Sequence, residues 1–313
     1  MKIAVIDLGT NTFNLLIGEV NNLNHYRILY NTKAAVQLGK GGITKRIITP
    51  EAINRGVITI GSYLQIISTY NVDKVYAYAT SAVRGAINGK DFTDRIKTEF
   101  NLDINVISGE KEAELIYYGV KLGVNLTDET SVIMDIGGGS TEFIICNAYQ
   151  IFWKKSFDVG AARILEAFQP SNPIKVEEIK KIEDYFNEEL EELFAAIEFH
   201  QAKTLIGSSG SFDTFAEIIA HKFYEPSIVE NITEYTFNIG DYHIIHEQLI
   251  RSTREERYKT KGLIPMRVDM IVIASVFTSF MLKKNQISNM RLSAYSLKEG
   301  VLNEAINGVL VEG

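Results

Sequence analysis

The chain has 313 residues, a length that suits about two domains and can bury a core without disulfides or a structural metal. Its 32 Lys and Arg against 39 Asp and Glu give a formal net charge of −7, which argues against non-specific binding to nucleic acid or to an anionic membrane surface. The single cysteine, Cys146, excludes an intramolecular disulfide and a multi-cysteine zinc site, and a reducing cytoplasm is the simplest compartment.

The N-terminal segment predicts a β-hairpin with a polar tip. An apolar run ends at Asp7, small polar residues follow through Thr12, and a second apolar run comes next. The same pattern recurs 128 residues later, where a run ends at Asp135 and glycines and hydroxyl residues follow at 137–141. A predicted strand and loop at 75–82 match 203–210 at the same offset. The repeat therefore predicts duplicated α/β domains that face each other.

Helical patterns fill the spaces between the predicted strands. Thr49 and Pro50 mark a helix start, and apolar residues follow at helical spacing through Ile67. Residues 176–197 predict one long amphipathic helix with an acidic outer face. The apolar stretch 270–282 predicts a buried core helix, because a membrane span needs about 20 residues. Strands that alternate with helices indicate an α/β architecture with mixed sheets.

Both predicted hairpin tips are suited to binding phosphate. Glycines let the backbone approach a ligand closely, consecutive N–H groups can point at phosphate oxygens, and hydroxyls add donors. The aspartates that precede the tips are suited to Mg²⁺, which prefers oxygen ligands and keeps much of its hydration shell. A tight hairpin turn explains one such tip equally well, whereas two tips at a fixed offset favour a ligand.

Other segments place polar residues at strand ends and helix starts. Arg84 follows a predicted strand, and arginine binds phosphate bidentately, although most arginines are simply exposed. Ser208 and Ser209 precede a predicted helix, where free N–H groups bind anions, and a simple turn explains them as well. Ser108 is suited to cap a helix whose early glutamates complement the helix dipole. A carboxylate at such a start, if it faces a cleft, can also position an attacking water.

A series of motifs, in order along nearly the whole chain, resembles the Ppx/GppA phosphatases, which are the exopolyphosphatases and guanosine pentaphosphate phosphohydrolases. The motifs are DLGTNT at 7–12, ATSAVR at 79–84, ISGEKEA at 107–113, DIGGGSTE at 135–142, GAAR at 160–163, GSSG at 207–210, PMRVD at 265–269 and LKEG at 297–300. The chain departs mildly from the usual pattern at Asn11, Thr12, Ser211 and Ser296.

The resemblance implies two actin-like (ribonuclease H-like) domains with mixed sheets and an active site in the cleft between them. Residues 1–124 with 298–313 would form domain I, onto which the terminal helix packs, and 125–297 would form domain II. Glu112 would be the catalytic base, and Asp135, Glu142 and Asp7 would lie by Mg²⁺ or Mn²⁺. The residues that would bind phosphates belong to the two tips and the neighbouring loops: Thr10, Asn11, Arg84, Gly138, Gly139, Ser140, Thr141, Ser208 and Ser209.

These observations predict a cytoplasmic, Mg²⁺-dependent exopolyphosphatase that releases orthophosphate from polyphosphate. Hydrolysis of guanosine pentaphosphate (pppGpp) is the alternative within the family. A phosphotransferase of the same fold would need an adenosine pocket, and the sequence shows no clear signature of one. A non-catalytic sensor of polyphosphate or an alarmone is disfavoured by the presence of Glu112. Neither nucleic acid nor a membrane is expected as a partner, and a homodimer stays open. The resemblance is to the shorter members of the family, which predicts weaker binding of very long polyphosphate.

Overall fold

The structure is a computed structural model and describes residues 1–20 and 26–306. The first of its two sheets has five strands: β1 (Lys2–Leu8), β2 (Thr12–Val20), β3 (Tyr26–Ala35), β4 (Lys74–Ala79) and β5 (Asn105–Val106). Their order across the sheet is β3-β2-β1-β4-β5. The sheet is mixed, because β1 pairs antiparallel with β2 and parallel with β4.

The second sheet repeats this arrangement. Its strands are β6 (Ser131–Ile136), β7 (Thr141–Cys146), β8 (Ile151–Phe157), β9 (Thr204–Ser208), β10 (Glu234–Phe237) and β11 (Asn289–Ser293). From one edge the order is β8-β7-β6-β9-β11, as in the first sheet, and β10 adds an antiparallel strand at the far edge. The α/β class with two mixed sheets and the predicted duplication are thereby confirmed.

The repeat offset of 128 residues holds within the hairpins and changes beyond them. Asp7 lies opposite Asn14 in the first hairpin, and Asp135 lies opposite Glu142 in the second. On the parallel side, Asp7 pairs with Tyr78. Asp135 pairs there with Ser208, so the offset has grown to 208 − 78 = 130 residues. The predicted match of 75–82 with 203–210 is wrong by two residues, because the segments that lead to β4 and β9 differ in length.

Twelve α-helices connect and cover the two sheets within the described residues. They are α1 (Pro50–Thr69), α2 (Ser81–Arg84), α3 (Gly89–Phe100), α4 (Gly109–Gly123), α5 (Ala161–Phe168), α6 (Val176–Glu189), α7 (Glu191–His200), α8 (Gly210–Phe223), α9 (Ile239–Arg251), α10 (Arg254–Lys259), α11 (Met270–Lys284) and α12 (Leu297–Ile306).

Local capping explains where two of these helices begin. The Thr49 hydroxyl accepts a hydrogen bond from the Ala52 amide at 3.3 Å and starts α1 as predicted. The Ser108 hydroxyl accepts from the Lys111 amide at 3.2 Å and starts α4. The predicted single helix at 176–197 is wrong. It is two helices, because the backbone leaves helical geometry at Leu190. The apolar spacing continues across this break since α6 and α7 bury the same face against one core.

The first sheet and the helices that cover it form the first lobe, and the second sheet and its helices form the second. Helix α11 lies in the core of the second lobe. Every residue from 271 to 282 is buried, which confirms the predicted core helix. Of the helices that lie within 1–20 and 26–306, none is long and apolar enough to cross a membrane.

Helices α4 and α12 occupy the junction between the lobes. Helix α4 packs against α12 and against β7 and β8 of the second sheet, while α12 also contacts β1 and β2 of the first. One buried apolar cluster accordingly joins Val5 of β1, Ile116 of α4, Ile133 of β6 and Val301 of α12. Residues 307–313 lie outside the described part of the chain, and the proposed domain limits stay a prediction.

Candidate functional site

A cavity of about 420 Å³ lies where corresponding ends of the two sheets meet. Its wall includes residues 9–12 of the β1–β2 tip and 137–140 of the β6–β7 tip. The wall also includes the start of α2, one side of α4 and residues 296–298, which lie just before and within α12. Both hairpins that the sequence predicted to bind phosphate therefore face one space.

The two tips touch each other and the start of α2. A Cβ atom on Gly138 would lie 2.3 Å from Nδ2 of Asn11. A Cβ atom on Gly139 would lie 2.5 Å from Oγ of Ser81 and 2.8 Å from Oγ1 of Thr10. These distances are shorter than any real contact, so glycine at both positions permits the close approach of the two lobes.

Glu112 lies on the side of α4 that faces the cavity, and it is 7% exposed. Its Oε2 accepts a hydrogen bond from Nη1 of Arg84 at 2.7 Å, and the same nitrogen donates to the Ile107 carbonyl at 3.0 Å. Burial, followed by the charge of Glu142, raises the pKa of Glu112 well above its ordinary value, and Arg84 opposes this. The result is a fixed carboxylate with an increased affinity for a proton.

Glu142 is a second buried carboxylate of the cavity wall. Its Oε1 accepts hydrogen bonds from the hydroxyls of Ser140 at 2.7 Å and Ser156 at 2.6 Å. Burial, followed by the neighbouring charge of Asp135, raises the pKa of Glu142 to about 7, and the hydrogen bonds from Ser156 and Ser140 oppose this rise. Hydroxyl protons on one oxygen leave the other oxygen of this carboxylate available to a cation.

Asp135 and Asp7 occupy equivalent strand ends in the two lobes. Oδ2 of Asp135 accepts from the hydroxyls of Ser208 at 2.6 Å and Ser296 at 2.5 Å. Oδ2 of Asp7 accepts from Nδ2 of Asn14 at 2.8 Å. Burial raises the pKa of Asp135 and raises that of Asp7 to about 6. The acidic groups of the cavity wall thus include Glu112, Glu142 and Asp135, which are buried, and Asp7, which is half-buried.

Three cationic side chains line the same cavity, and none of them was assigned from the sequence: Lys33, Arg267 and Lys298. Nη1 of Arg267 donates to the Thr214 hydroxyl at 2.6 Å, and Nζ of Lys298 lies 2.9 Å from Oε1 of Glu299. Burial, then the charge of Arg267, lowers the pKa of Lys33. Arg267 and Lys298 lie within motifs of the family resemblance, whereas Lys33 follows no local pattern in β3. The wall therefore places three cations beside its carboxylates, and these cations are suited to bind a polyanion.

The structure brings most of the predicted site residues to the cavity wall: Asp7, Thr10, Asn11, Glu112, Asp135, Gly138, Gly139, Ser140, Glu142 and Ser209. Arg84, Thr141 and Ser208 lie outside that lining. Arg84 holds Glu112, and the Ser208 hydroxyl donates to Asp135. The Thr141 hydroxyl donates to the Val159 carbonyl at 3.2 Å. These side chains direct their protons at protein acceptors behind the wall, and direct phosphate contact by Arg84 stays a prediction.

The donor set fits Mg²⁺ chemically. Asp7, Asp135 and Glu142 offer carboxylate oxygens, the ligands that this ion prefers, and their raised pKa values reflect buried negative charge that a cation would compensate. Within the part of the chain that the structure describes, no group of three His, Cys, Asp or Glu side chains converges on one metal position. The arrangement therefore fits an ion that keeps several waters and binds one or two carboxylates together with substrate phosphates.

A second set of polar contacts ties the lobes together beside the cavity. The Glu166 carboxylate on α5 accepts hydrogen bonds from the Gly41 amide at 3.0 Å, the Thr44 amide at 3.2 Å and the Thr44 hydroxyl at 2.6 Å. Nη1 of Arg163 donates to the Ile43 carbonyl at 3.4 Å. These contacts join the loop that follows β3 to the second lobe. Sequence reasoning missed Glu166 because its partners lie more than 100 residues away.

Comparison with known proteins places these features in context. The sequence model of the Ppx/GppA phosphatase family matches residues 16–307. The chain is 31% identical to a bifunctional 3-dehydroquinate synthase/phosphatase of Fusobacterium nucleatum, over 86% of this chain and 41% of that protein. It is 23% identical to exopolyphosphatase 1 of Mycobacterium tuberculosis, over 100% of this chain and 92% of the relative. The crystal structure of an exopolyphosphatase from Cytophaga hutchinsonii superimposes with a TM-score of 0.96 at 42% identity, over 100% of both chains.

Proposed function

The chain belongs to the Ppx/GppA phosphatase family and is thus a hydrolase, and from that premise we propose that its substrate is inorganic polyphosphate. The enzyme would hydrolyse the terminal phosphoanhydride bond and release orthophosphate. The observation that carries this proposal is the position of Glu112, held 2.7 Å from Arg84, in a cavity where the glycine-rich tips of both lobes meet. The Cytophaga hutchinsonii protein named an exopolyphosphatase, 42% identical over the whole chain, supports the choice of substrate.

In the proposed step, Glu112 orients a water molecule toward the terminal phosphorus and accepts its proton. A new bond forms between the water oxygen and phosphorus, and the bond to the bridging oxygen breaks. The shortened chain leaves with the electron pair of that bond. A raised pKa suits a general base that works near neutral pH. Arg84 fixes the direction of the carboxylate, so its role in this step is positioning.

Two kinds of group in the cavity, hydrogen-bond donors with cationic side chains and a metal ion, would neutralise the negative charge of the substrate. Backbone N–H groups of the tips, and the cations Lys33, Arg267 and Lys298, are suited to bind phosphate oxygens. Mg²⁺, held through water and by one or two carboxylates among Asp135, Glu142 and Asp7, would supply further neutralisation of the phosphoryl charge. We place the reaction in the cytoplasm, in keeping with a lone cysteine that is buried and unpaired.

Orthophosphate release from polyphosphate, guanosine pentaphosphate and ATP, measured with the same enzyme and Mg²⁺, tests this proposal. We expect the highest kcat/KM for polyphosphate. A higher kcat/KM for guanosine pentaphosphate would assign the alternative activity within the family. Transfer of phosphate from ATP to an acceptor would indicate a kinase, and tight polyphosphate binding without any phosphate release would indicate a sensor.

A further inference from the structure

Ser81, the first residue of α2, carries a buried hydroxyl that lacks a hydrogen-bond partner among the described residues. The residue is only 4% exposed, and it lines the cavity. Its Oγ would lie 2.5 Å from a Cβ on Gly139, next to the Thr10 hydroxyl that approaches the same position. The unpartnered hydroxyl therefore lies at the point where both hairpin tips and α2 converge.

Three serine hydroxyls in or beside the cavity wall have acceptors. Ser140 and Ser156 donate to Glu142, and Ser208 donates to Asp135. Buried hydroxyls are rarely left without a partner, since burial removes their hydrogen bonds to water. An acceptor that enters the cavity would complete the bonding of Ser81. The proposed substrate supplies such acceptors, because every phosphate in it carries non-bridging oxygens.

We infer that Ser81 Oγ donates a hydrogen bond to a non-bridging oxygen of the terminal phosphate, the group that is attacked by the water that Glu112 orients. This inference rests on the proposed function and adds a binding residue to it. Helix α2 links the two groups, because Ser81 begins this single turn and Arg84, which holds Glu112, ends it. The helix thus places a donor for the phosphate and a support for the base within four residues.

The substitution Ser81→Ala separates this role from a structural one. A hydrogen bond to a charged group has a net value that corresponds to about 10- to 100-fold in binding. We therefore expect Ser81→Ala to lower kcat/KM for polyphosphate, and to raise the Kd for tripolyphosphate with Mg²⁺, by about 10- to 100-fold. Its melting temperature should stay the same or rise, because the substitution removes an unsatisfied buried hydroxyl. A lowered melting temperature together with unchanged Kd would overturn the inference.

Ser279 provides the matched control. It is buried in α11, its hydroxyl also lacks a partner among the described residues, and it lies outside the cavity lining. Ser279→Ala should leave kcat/KM and the Kd for tripolyphosphate unchanged, with a melting temperature equal to or above that of the wild type. Equal losses of kcat/KM in the two variants would contradict a specific role for Ser81.

Calorimetry with tripolyphosphate distinguishes a failure of this inference from a failure of the proposed function. If the wild type binds tripolyphosphate but hydrolyses no polyphosphate, the proposed function fails, and the Kd values of wild type and Ser81→Ala still decide the role of Ser81. If the wild type hydrolyses polyphosphate and Ser81→Ala has the same KM, kcat and Kd, the inference alone fails. A wild type that binds neither polyphosphate nor tripolyphosphate overturns both.

Discussion

The hairpins of the two lobes have the same backbone plan and different acidic chemistry. Asp7 lies opposite Asn14 in the first lobe, whereas Asp135 lies opposite Glu142 at the corresponding positions of the second. The first hairpin thus places one carboxylate and one amide beside the cavity, and the second places two carboxylates there. The repeat has retained the strand order and the glycine tips, while the side chains behind the tips have diverged.

The hydrogen-bond donors to the two aspartates also differ between the lobes. Asp7 takes its hydrogen bond from within its own hairpin, at Asn14. Asp135 accepts hydrogen bonds from Ser208 on β9 and from Ser296. Ser296 lies just before α12 and is 161 residues from Asp135 in sequence. The aspartate of the second lobe therefore accepts more hydrogen bonds, and from more distant segments, than the aspartate of the first. We therefore propose that the second lobe contributes more to binding a cation and that the first lobe contributes mainly to binding phosphate.

We expect the largest effect from substitution of Glu112, the carboxylate that belongs to neither hairpin. Glu112→Gln keeps the size of the side chain and removes its basicity, so kcat for polyphosphate should fall by about 10²–10⁴-fold. KM should hold or fall slightly, because a negative charge beside a polyanion is removed. Glu110→Gln is the matched control on the same helix, since Glu110 is exposed. Steady-state kinetics that show near wild-type kcat for Glu112→Gln would exclude it as the base.

The metal requirement tests the proposed difference between the lobes. Activity should vanish in EDTA and return with Mg²⁺ or Mn²⁺. Asp135→Asn should raise the Mg²⁺ concentration for half-maximal activity by about 10- to 100-fold, the range seen when the support of a metal site is lost. Asp7→Asn should raise it less. Equal shifts in Mg²⁺ titrations of the two variants would contradict the comparison, and full activity in EDTA would remove the metal from the account.

The smallest expected effect concerns the contacts between the lobes. Glu166→Ala removes the acceptor of three hydrogen bonds to the loop after β3, and it should raise KM by about 2- to 10-fold. Small-angle scattering should show a larger radius of gyration for this variant without ligand than for the wild type. Glu188→Ala, an exposed position on α6, should change neither quantity. A Glu166→Ala variant with unchanged scattering and KM would show that the lobes meet without this carboxylate.

Sequence reasoning was most successful where the signal is local. Glycine tips, strand runs and caps such as Ser108 depend on neighbouring residues, and the structure contains them as predicted. Lys33 and Ser296 could not be found in this way, because only the packing of distant segments brings them to the cavity. The interruption at Leu190 was missed for a different reason, since apolar spacing is the same for one helix and for two that bury a common face. The role of Arg84 as a support for Glu112 likewise depends on a contact across 28 residues.

Hydrolysis of tripolyphosphate in ¹⁸O-labelled water, stopped at low conversion, tests the central claim most directly. The account has water attack the terminal phosphorus, so one labelled oxygen should appear in each orthophosphate and none in the pyrophosphate that remains. Phosphate analysis by mass spectrometry separates the two products. Label in pyrophosphate, or orthophosphate released without label, would contradict water attack on the terminal phosphorus within the cavity between the lobes.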